Sequence, residues 1–267
     1  MTEAAPTSPA LADVPDVRAR FPFRVGATSF VLHADLATNV TALAPLVDDI
    51  EVVVFESDEI SPLPDDATLD LMRAATAEHG VSYTIHLPLD VRLASPDGAE
   101  RERAVAICGR VIRLMNSVEP FGYVAHVMGD DGRSARESLA ELVRLAGDSA
   151  AICVENLAAP TDDIVSLAAD AGASLCFDVG HAVVDGWGRD ECAAWLERHI
   201  GSVRVLHVHG IADGKDHRDA SLLPEGTLAK VVGALAREAA AQRVLTMEVF
   251  SEANYARSVA AIEECAS

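Results

Sequence analysis

From Phe23 onward the chain alternates short runs of apolar and β-branched residues with longer segments whose apolar positions recur every three or four residues. The first pattern is that of buried parallel strands and the second that of amphipathic helices. Their regular exchange marks βα units wrapped on a parallel sheet. Eight strands are expected, at 23–29 (FRVGATS), 50–56 (IEVVVFE), 81–86 (VSYTIH), 122–127 (GYVAHV), 151–156 (AICVEN), 174–179 (SLCFDV), 203–209 (VRVLHVH) and 243–250 (RVLTMEVF). Between them, Leu139, Leu142, Val143 and Ala146 share one helical face, as do Tyr255, Val259 and Ile262 behind Ser251, an N-cap type. Pro45 ends or kinks the first helix early, because proline removes a backbone donor and clashes with the preceding turn. Eight such alternations in about 245 residues predict an α/β fold, a single closed (β/α)8 TIM barrel. No GxGxxG follows the first strand, which weighs against an open dinucleotide-binding sheet. Residues 1–20 lack the pattern and read as a flexible tail, leaving 21–267 as one barrel domain.

The chemistry is carried by the polar residues that close these apolar strands, since barrel active sites are built at the C-terminal strand ends. In order they are Ser29, Glu56, His86, His126, Glu155, Asp178, His207 and Glu248. From the third strand onward each is a metal-ligand type, and six polar groups converging in a barrel mouth are costly to bury unpaired. A bound divalent cation removes that cost, so a metal site is expected at the mouth. His181 follows Asp178 by three residues in FDVGH, where Gly180 is expected to let the chain turn back over the site. His207 and His209 are two apart on one strand and share a face; His209 can ligate, support a ligand or touch a substrate. The following loop, GKDHRDAS, adds Asp216 and His217 as a peripheral metal site or as solvated charge. Imidazoles and carboxylates without thiolate suit Mn²⁺, Zn²⁺ or Fe²⁺. Glu155, central in the series, can bridge two ions, and paired ions suit phosphoester hydrolysis.

Composition narrows the partners. With 42 acidic against 21 basic residues the formal net charge is −21, which repels a phosphate backbone, so no nucleic-acid partner is expected. No window approaches the roughly 18 apolar residues of a membrane span, and no membrane partner is expected. The five cysteines, odd in number and without a CxxC pair, predict reduced thiols in a cytoplasmic protein. No GxSxG or other nucleophile motif competes with metal chemistry.

The VEN, FDVGH, HVH and MEVF strand ends resemble, in order, those of the xylose-isomerase-like, endonuclease-IV-like superfamily of metal-dependent barrels. The resemblance implies a metal site of Glu155, Asp178, His207 and Glu248. It further implies a second ion on His86 and His126 shared through Glu155, and a third on His181 with Asp216 or His217, making two or three ions per chain. Within the superfamily, the opening stretch from Pro22 to Ser57 and the later HVHGIADGKDHRDASLL are similar to the cobamide-remodelling phosphodiesterases. That likeness implies hydrolysis of the nucleotide loop of a cobamide, a small-molecule substrate, to α-ribazole and cobinamide phosphate. A metal-dependent sugar isomerase or epimerase is the alternative, with Glu155 and Glu248 as paired proton-transfer bases; a corrinoid- or metal-binding barrel without turnover is a third. Glu155, Glu248 and Glu56 are the catalytic candidates, Glu56 to orient water or a substrate hydroxyl. Ser29, His209 and Trp187 are the candidate substrate contacts, packing against the next helix being the competing role of Trp187.

Overall fold

The computed structural model describes residues 11, 14–55, 63–147, 151–237 and 243–265. Eight parallel strands close into a barrel: β1 (Arg24–Thr28), β2 (Asp49–Val53), β3 (Ser82–His86), β4 (Gly122–Ala125), β5 (Ile152–Glu155), β6 (Ser174–Asp178), β7 (Val203–Val208) and β10 (Val244–Met247). Around the barrel β10 sits between β7 and β1, and β1 pairs in turn with β2, so no edge is left open. Each strand lies inside the span expected for it or overlaps it to within one residue, trimmed mainly at the polar C-terminal ends.

The outer ring consists of α1 (Leu36–Leu43), α2 (Asp66–His79), α3 (Gly98–Met115), α4 (Gly132–Ala146), α5 (Asp162–Ala171), α7 (Arg189–His199), α8 (Thr227–Arg237) and α9 (Glu252–Cys265). Helix α1 stops at Leu43, just ahead of Pro45, and Ser251 Oγ accepts the Asn254 N–H at the start of α9. Tyr255, Val259 and Ile262 are fully buried, as are Leu139 and Leu142 of α4. Two elements were not expected. A short helix α6 (Val179–Val184) follows β6 directly, and the loop after β7 is an antiparallel hairpin of β8 (Gly210–Ala212) and β9 (Lys215–Arg218). Within the stretch read as a tail, the described residues Leu11, Val14 and Val17 are buried, and the Val17 N–H donates to Leu46 O at 2.9 Å, just beyond the end of α1.

Side-chain alternation divides the apolar interior in two. Residues facing outward join the helices in the main core, whereas Val124, Cys153, Cys176 and Val205 form a small separate cluster inside the lumen. Beneath it the half-buried Phe121 packs against the cluster, with the Arg204 guanidinium 4.6 Å from its ring centroid and donating to its carbonyl. Cys108, Cys153, Cys176 and Cys192 are buried free thiols and Cys265 is half-buried. Among the described residues no helix is long and apolar enough to cross a membrane.

Asp49, at the lower end of β2, is fully buried; Ser82 Oγ donates to its Oδ2 at 2.5 Å, while Oδ1 has no partner. Burial pushes its carboxyl from 3.8 up to about 6, against the bond from Ser82. A folded-state pKa above the unfolded one means that folding takes up a proton, so this group's contribution is full below about pH 4 and lost as pH rises through about 6. Asp49→Asn, whose amide can donate to Ser82 Oγ while that hydroxyl turns to Asp48 O, is therefore expected to stabilise the chain by about 1–3 kcal/mol near pH 7.5 and by little near pH 4. Urea unfolding of both chains in chelator across that range checks it, and a pH-independent difference would refute it.

Candidate metal centre

The same alternation that fills the lumen floor with small apolar residues places the next inward position of each strand at the mouth. Cys153 is followed on that face by Glu155, Cys176 by Asp178, Val205 by His207 and Thr246 by Glu248. All four mouth residues are buried, and their ligand-type atoms lie within 4.8 Å of one another. His86 and His126 form a second group with Glu155, and His181, His209 and His217 a third.

Glu155 divides its two oxygens between groups. Oε2 lies 3.0 Å from His86 Nε2 and 3.1 Å from His126 Nε2, while Oε1 faces His207 Nδ1 and His181 Nδ1, each at 3.5 Å. His86 Nδ1–H donates to Leu87 O at 2.9 Å, which turns the Nε2 lone pair inward. Asp178 closes β6 and caps α6, its Oδ1 accepting the His181 N–H at 2.7 Å; this brings His181 back over the mouth one turn later. Asn156 holds Asp178 in place, accepting its N–H at 2.8 Å and donating to its carbonyl at 2.8 Å. Glu248 Oε2 is 3.3 Å from His207 Nδ1 and 3.5 Å from His217 Nε2.

Glu155 Oε1, Asp178 Oδ2, His207 Nδ1, His209 Nε2 and Glu248 Oε2 are buried without a hydrogen-bond partner. Leaving that many polar atoms unmatched is unfavourable by about 1–3 kcal/mol each. Three converging carboxylates with interleaved imidazole nitrogens match the donor set of Mn²⁺, Zn²⁺ or Fe²⁺, so the residues fit the ions expected of them. Without ions, protons do the same work. Burial alone would lower the imidazoles, but the Glu155 carboxylate outweighs it and raises His86 to about 9; Glu155 with Asp178 raises His181 to about 10. His217 is likewise raised to about 9, by Glu248 and Asp216. Burial pushes Glu155 and Glu248 up, yet the charge of His207 and hydrogen bonds from neighbouring imidazoles hold both well below the ordinary carboxylate range.

Several expected residues sit elsewhere or act differently. Asp216 is not in the convergent set; half exposed, it stands behind His217 with Oδ1 3.0 Å from Nδ1, since neighbours on β9 cannot both face the mouth. His217 itself adopts a left-handed backbone (φ 52°), uncommon for a residue with a side chain, which lays its ring on His209 at 4.3 Å. His209 is not open to a substrate. It is fully buried, its Nδ1 accepts the His217 N–H at 3.1 Å, and a neutral ring accepting there carries its proton on Nε2, 3.3 Å from Asp178 Oδ1. Ser29 is buried between β1 and β2, its Oγ accepting the Val53 N–H at 3.2 Å. Trp187 is half-buried and packed on the main apolar core. Glu56 lies outside the described residues. One residue beside the ligand groups escaped the sequence reading: Glu51, fully buried in β2, with Oε2 2.8 Å from His207 Nε2. Its signal was a carboxylate between Ile50 and Val52, in a parallel strand that is mostly apolar.

Gly180 also works differently from expectation. Its backbone is ordinary helix, and what it supplies is room: a Cβ there would lie 2.2 Å from the His209 ring. Gly180→Ala is therefore expected to expel that ring, destabilise the fold by about 1–3 kcal/mol and loosen Asp178. Thermal unfolding checks this, and the second substitution His209→Ala should restore most of the loss. A Gly180→Ala chain as stable as the wild type would show that the interlock does not exist.

With the geometry in hand, comparison with known proteins is informative. No curated protein matches the chain significantly by sequence. Among solved structures, a D-tagatose 3-epimerase-like protein superposes with TM-score 0.74 at 17% identity, covering 91% of this chain and 97% of its own. Endonuclease IV from Thermus thermophilus gives 0.71 at 20% identity (90% and 99% covered). The apo form of 3-keto-D-glucoside 4-epimerase from E. coli gives 0.68 at 14% identity (91% and 100%). At these identities the likeness establishes the shared barrel alone. The profile of one family matches residues 47–265, all but one of the eight barrel strands and every residue of the convergent groups, and on that match the chain belongs to the Xylose isomerase-like TIM barrel family.

Proposed function

We propose that this barrel is a metal-dependent phosphodiesterase that opens the nucleotide loop of a cobamide, giving α-ribazole and cobinamide phosphate. The observation that carries the hydrolytic reading is the second ligand group, His86 and His126, joined to the first through the divided carboxylate of Glu155. Clustered divalent ions supply Lewis acidity toward phosphoryl oxygens and lower the pKa of water. The chain's part is to hold that cluster rigidly. Glu155 spans the two groups, Asp178 and Glu248 each turn one unpartnered oxygen inward, and the apolar lumen floor keeps bulk water from below.

The surroundings of the mouth suit a large, partly apolar substrate. From His217 an aromatic series runs through Phe250 (5.1 Å), Phe55 and Phe30 to a cavity of about 700 Å³ beside β2, at the starts of α1 and α2, whose lining includes Ser29, Asp35, Leu36, Val54 and Asp65. Planar base and corrin surfaces offer such walls the contact that a small sugar lacks. A charge of −21 repels nucleic acid and not the cationic cobalt centre of a corrinoid. A second reading, sugar epimerase, is favoured by one feature: Glu155 and Glu248 both converge on the first ligand group, where each can serve as a proton-transfer base.

Purified protein loaded in turn with Mn²⁺, Zn²⁺ or Fe²⁺ and given adenosylcobalamin is expected to release α-ribazole and cobinamide phosphate, with EDTA or Glu155→Ala abolishing release. His86→Ala separates the readings. It should lower hydrolysis by about 10²-fold or more, whereas an epimerase using only the first group would retain its rate. Conversion of ketoses with no cobamide cleavage under any metal would replace the first reading by the second.

A further inference from the structure

We propose that Glu51 is the positioning residue of the metal centre, holding the His207 ring so that Nδ1 is the nitrogen presented to an ion. The inference rests on the metal-centre reading above and does not depend on the substrate.

Glu51 lies on β2 and His207 on β7, and β1 and β10 separate those strands around the barrel. The 2.8 Å contact between Glu51 Oε2 and His207 Nε2 therefore crosses the lumen. Both side chains are fully buried, and a charged acceptor in that setting is a costly group to keep unless something uses it. On the other side of the ring, Nδ1 has no hydrogen-bond partner and faces Glu248 Oε2 at 3.3 Å, Glu155 Oε1 at 3.5 Å and Asp178 Oδ2 at 3.9 Å.

A neutral imidazole has one proton for two nitrogens. Placed on Nε2, the proton satisfies Glu51 and leaves the Nδ1 lone pair aimed into the three carboxylates, where a cation completes the set. Placed on Nδ1, it sets a bare Nε2 lone pair against the Glu51 carboxylate at hydrogen-bond distance, which is repulsive. Glu51 thus selects the tautomer. His86 is anchored in the opposite sense, Nδ1 to the carbonyl of Leu87 at 2.9 Å, which leaves Nε2 for the site. A carboxylate anchor does more than a carbonyl, because its charge makes the distal nitrogen a stronger donor to metal. Glu51 does not join any of the convergent ligand groups found among the described residues, so its action passes through His207.

The test is metal affinity of the full chain, measured by competition for Zn²⁺ with a chromophoric chelator after stripping. Glu51→Leu keeps the site filled with an apolar side chain of similar size and is expected to weaken the tightest binding by about 10–100-fold. Glu51→Gln retains an oxygen acceptor for Nε2–H and is expected to recover most of that affinity. Introduced into His207→Ala, Glu51→Leu should have no further effect. Unchanged affinity in Glu51→Leu, or an equal loss with and without His207, overturns the proposal. Should Glu51→Leu fail to fold, the ring ¹⁵N resonances of His207 in the Zn²⁺-loaded wild type decide the matter: a protonated Nε2 with Nδ1 bound upholds the pairing and the reverse overturns it. Zn²⁺ bound as expected with no cobamide cleavage under Mn²⁺, Zn²⁺ or Fe²⁺ would defeat the substrate assignment alone, whereas a wild type that binds none of the three ions would defeat both.

Discussion

Glu155, Asp178 and Glu248 are held within a few ångströms of one another, out of water, and the rest of the mouth is organised to make that tolerable. Like charges in a low-dielectric interior repel strongly, and taking each from water costs several kcal/mol even after the protein relaxes. The imidazoles of His86, His126, His181, His207 and His217 are arranged around them as the compensating shell. Protons on His86, His181, His207 and His217 balance the charge in the free chain, and divalent ions can take over the task. Such a site stores a demand for positive charge, and the carboxylates shape both metal uptake and the electrostatics that any anionic transition state would meet.

The barrel makes this arrangement possible because two periodicities coincide. A two-residue repeat puts one layer of Val and Cys across the lumen and the next layer of ligands above it, so that precise placement comes from strands and not from loops. Loops and short helices then adjust the outer positions. Asp178 acts at once as strand terminus, helix cap and ligand candidate, and Asn156 clamps it from the neighbouring strand.

Much of this was readable beforehand, for a physical reason. The strands are short, mostly apolar runs, and a ligand-type residue at the C-terminal end of one in a barrel has few other uses; hence His86, Glu155, Asp178, His207 and Glu248 stood out. What escaped depended on three-dimensional proximity. Glu51 is in mid-strand, and its partner is 156 residues away across the lumen. Gly180 shows in sequence as conformational freedom, and only the packed His209 ring reveals it as a matter of space. Asp216 and His217 are adjacent in the chain and equally eligible, and the hairpin twist with its strained His217 backbone decides between them.

The apolar lower layer has a consequence for traffic. Among the described residues Phe121, held by Arg204, packs beneath Val124, Cys153, Cys176 and Val205, so the polar, ligand-rich end of the lumen is the mouth. His126, His181 and His217 stand at that mouth, each less buried than the carboxylates behind them. A molecule lying across the mouth would sit over the ligand groups, so an ion held beneath it would exchange more slowly until that molecule had gone. Residence at the mouth, and not only the chemical step, then becomes a quantity the fold itself regulates.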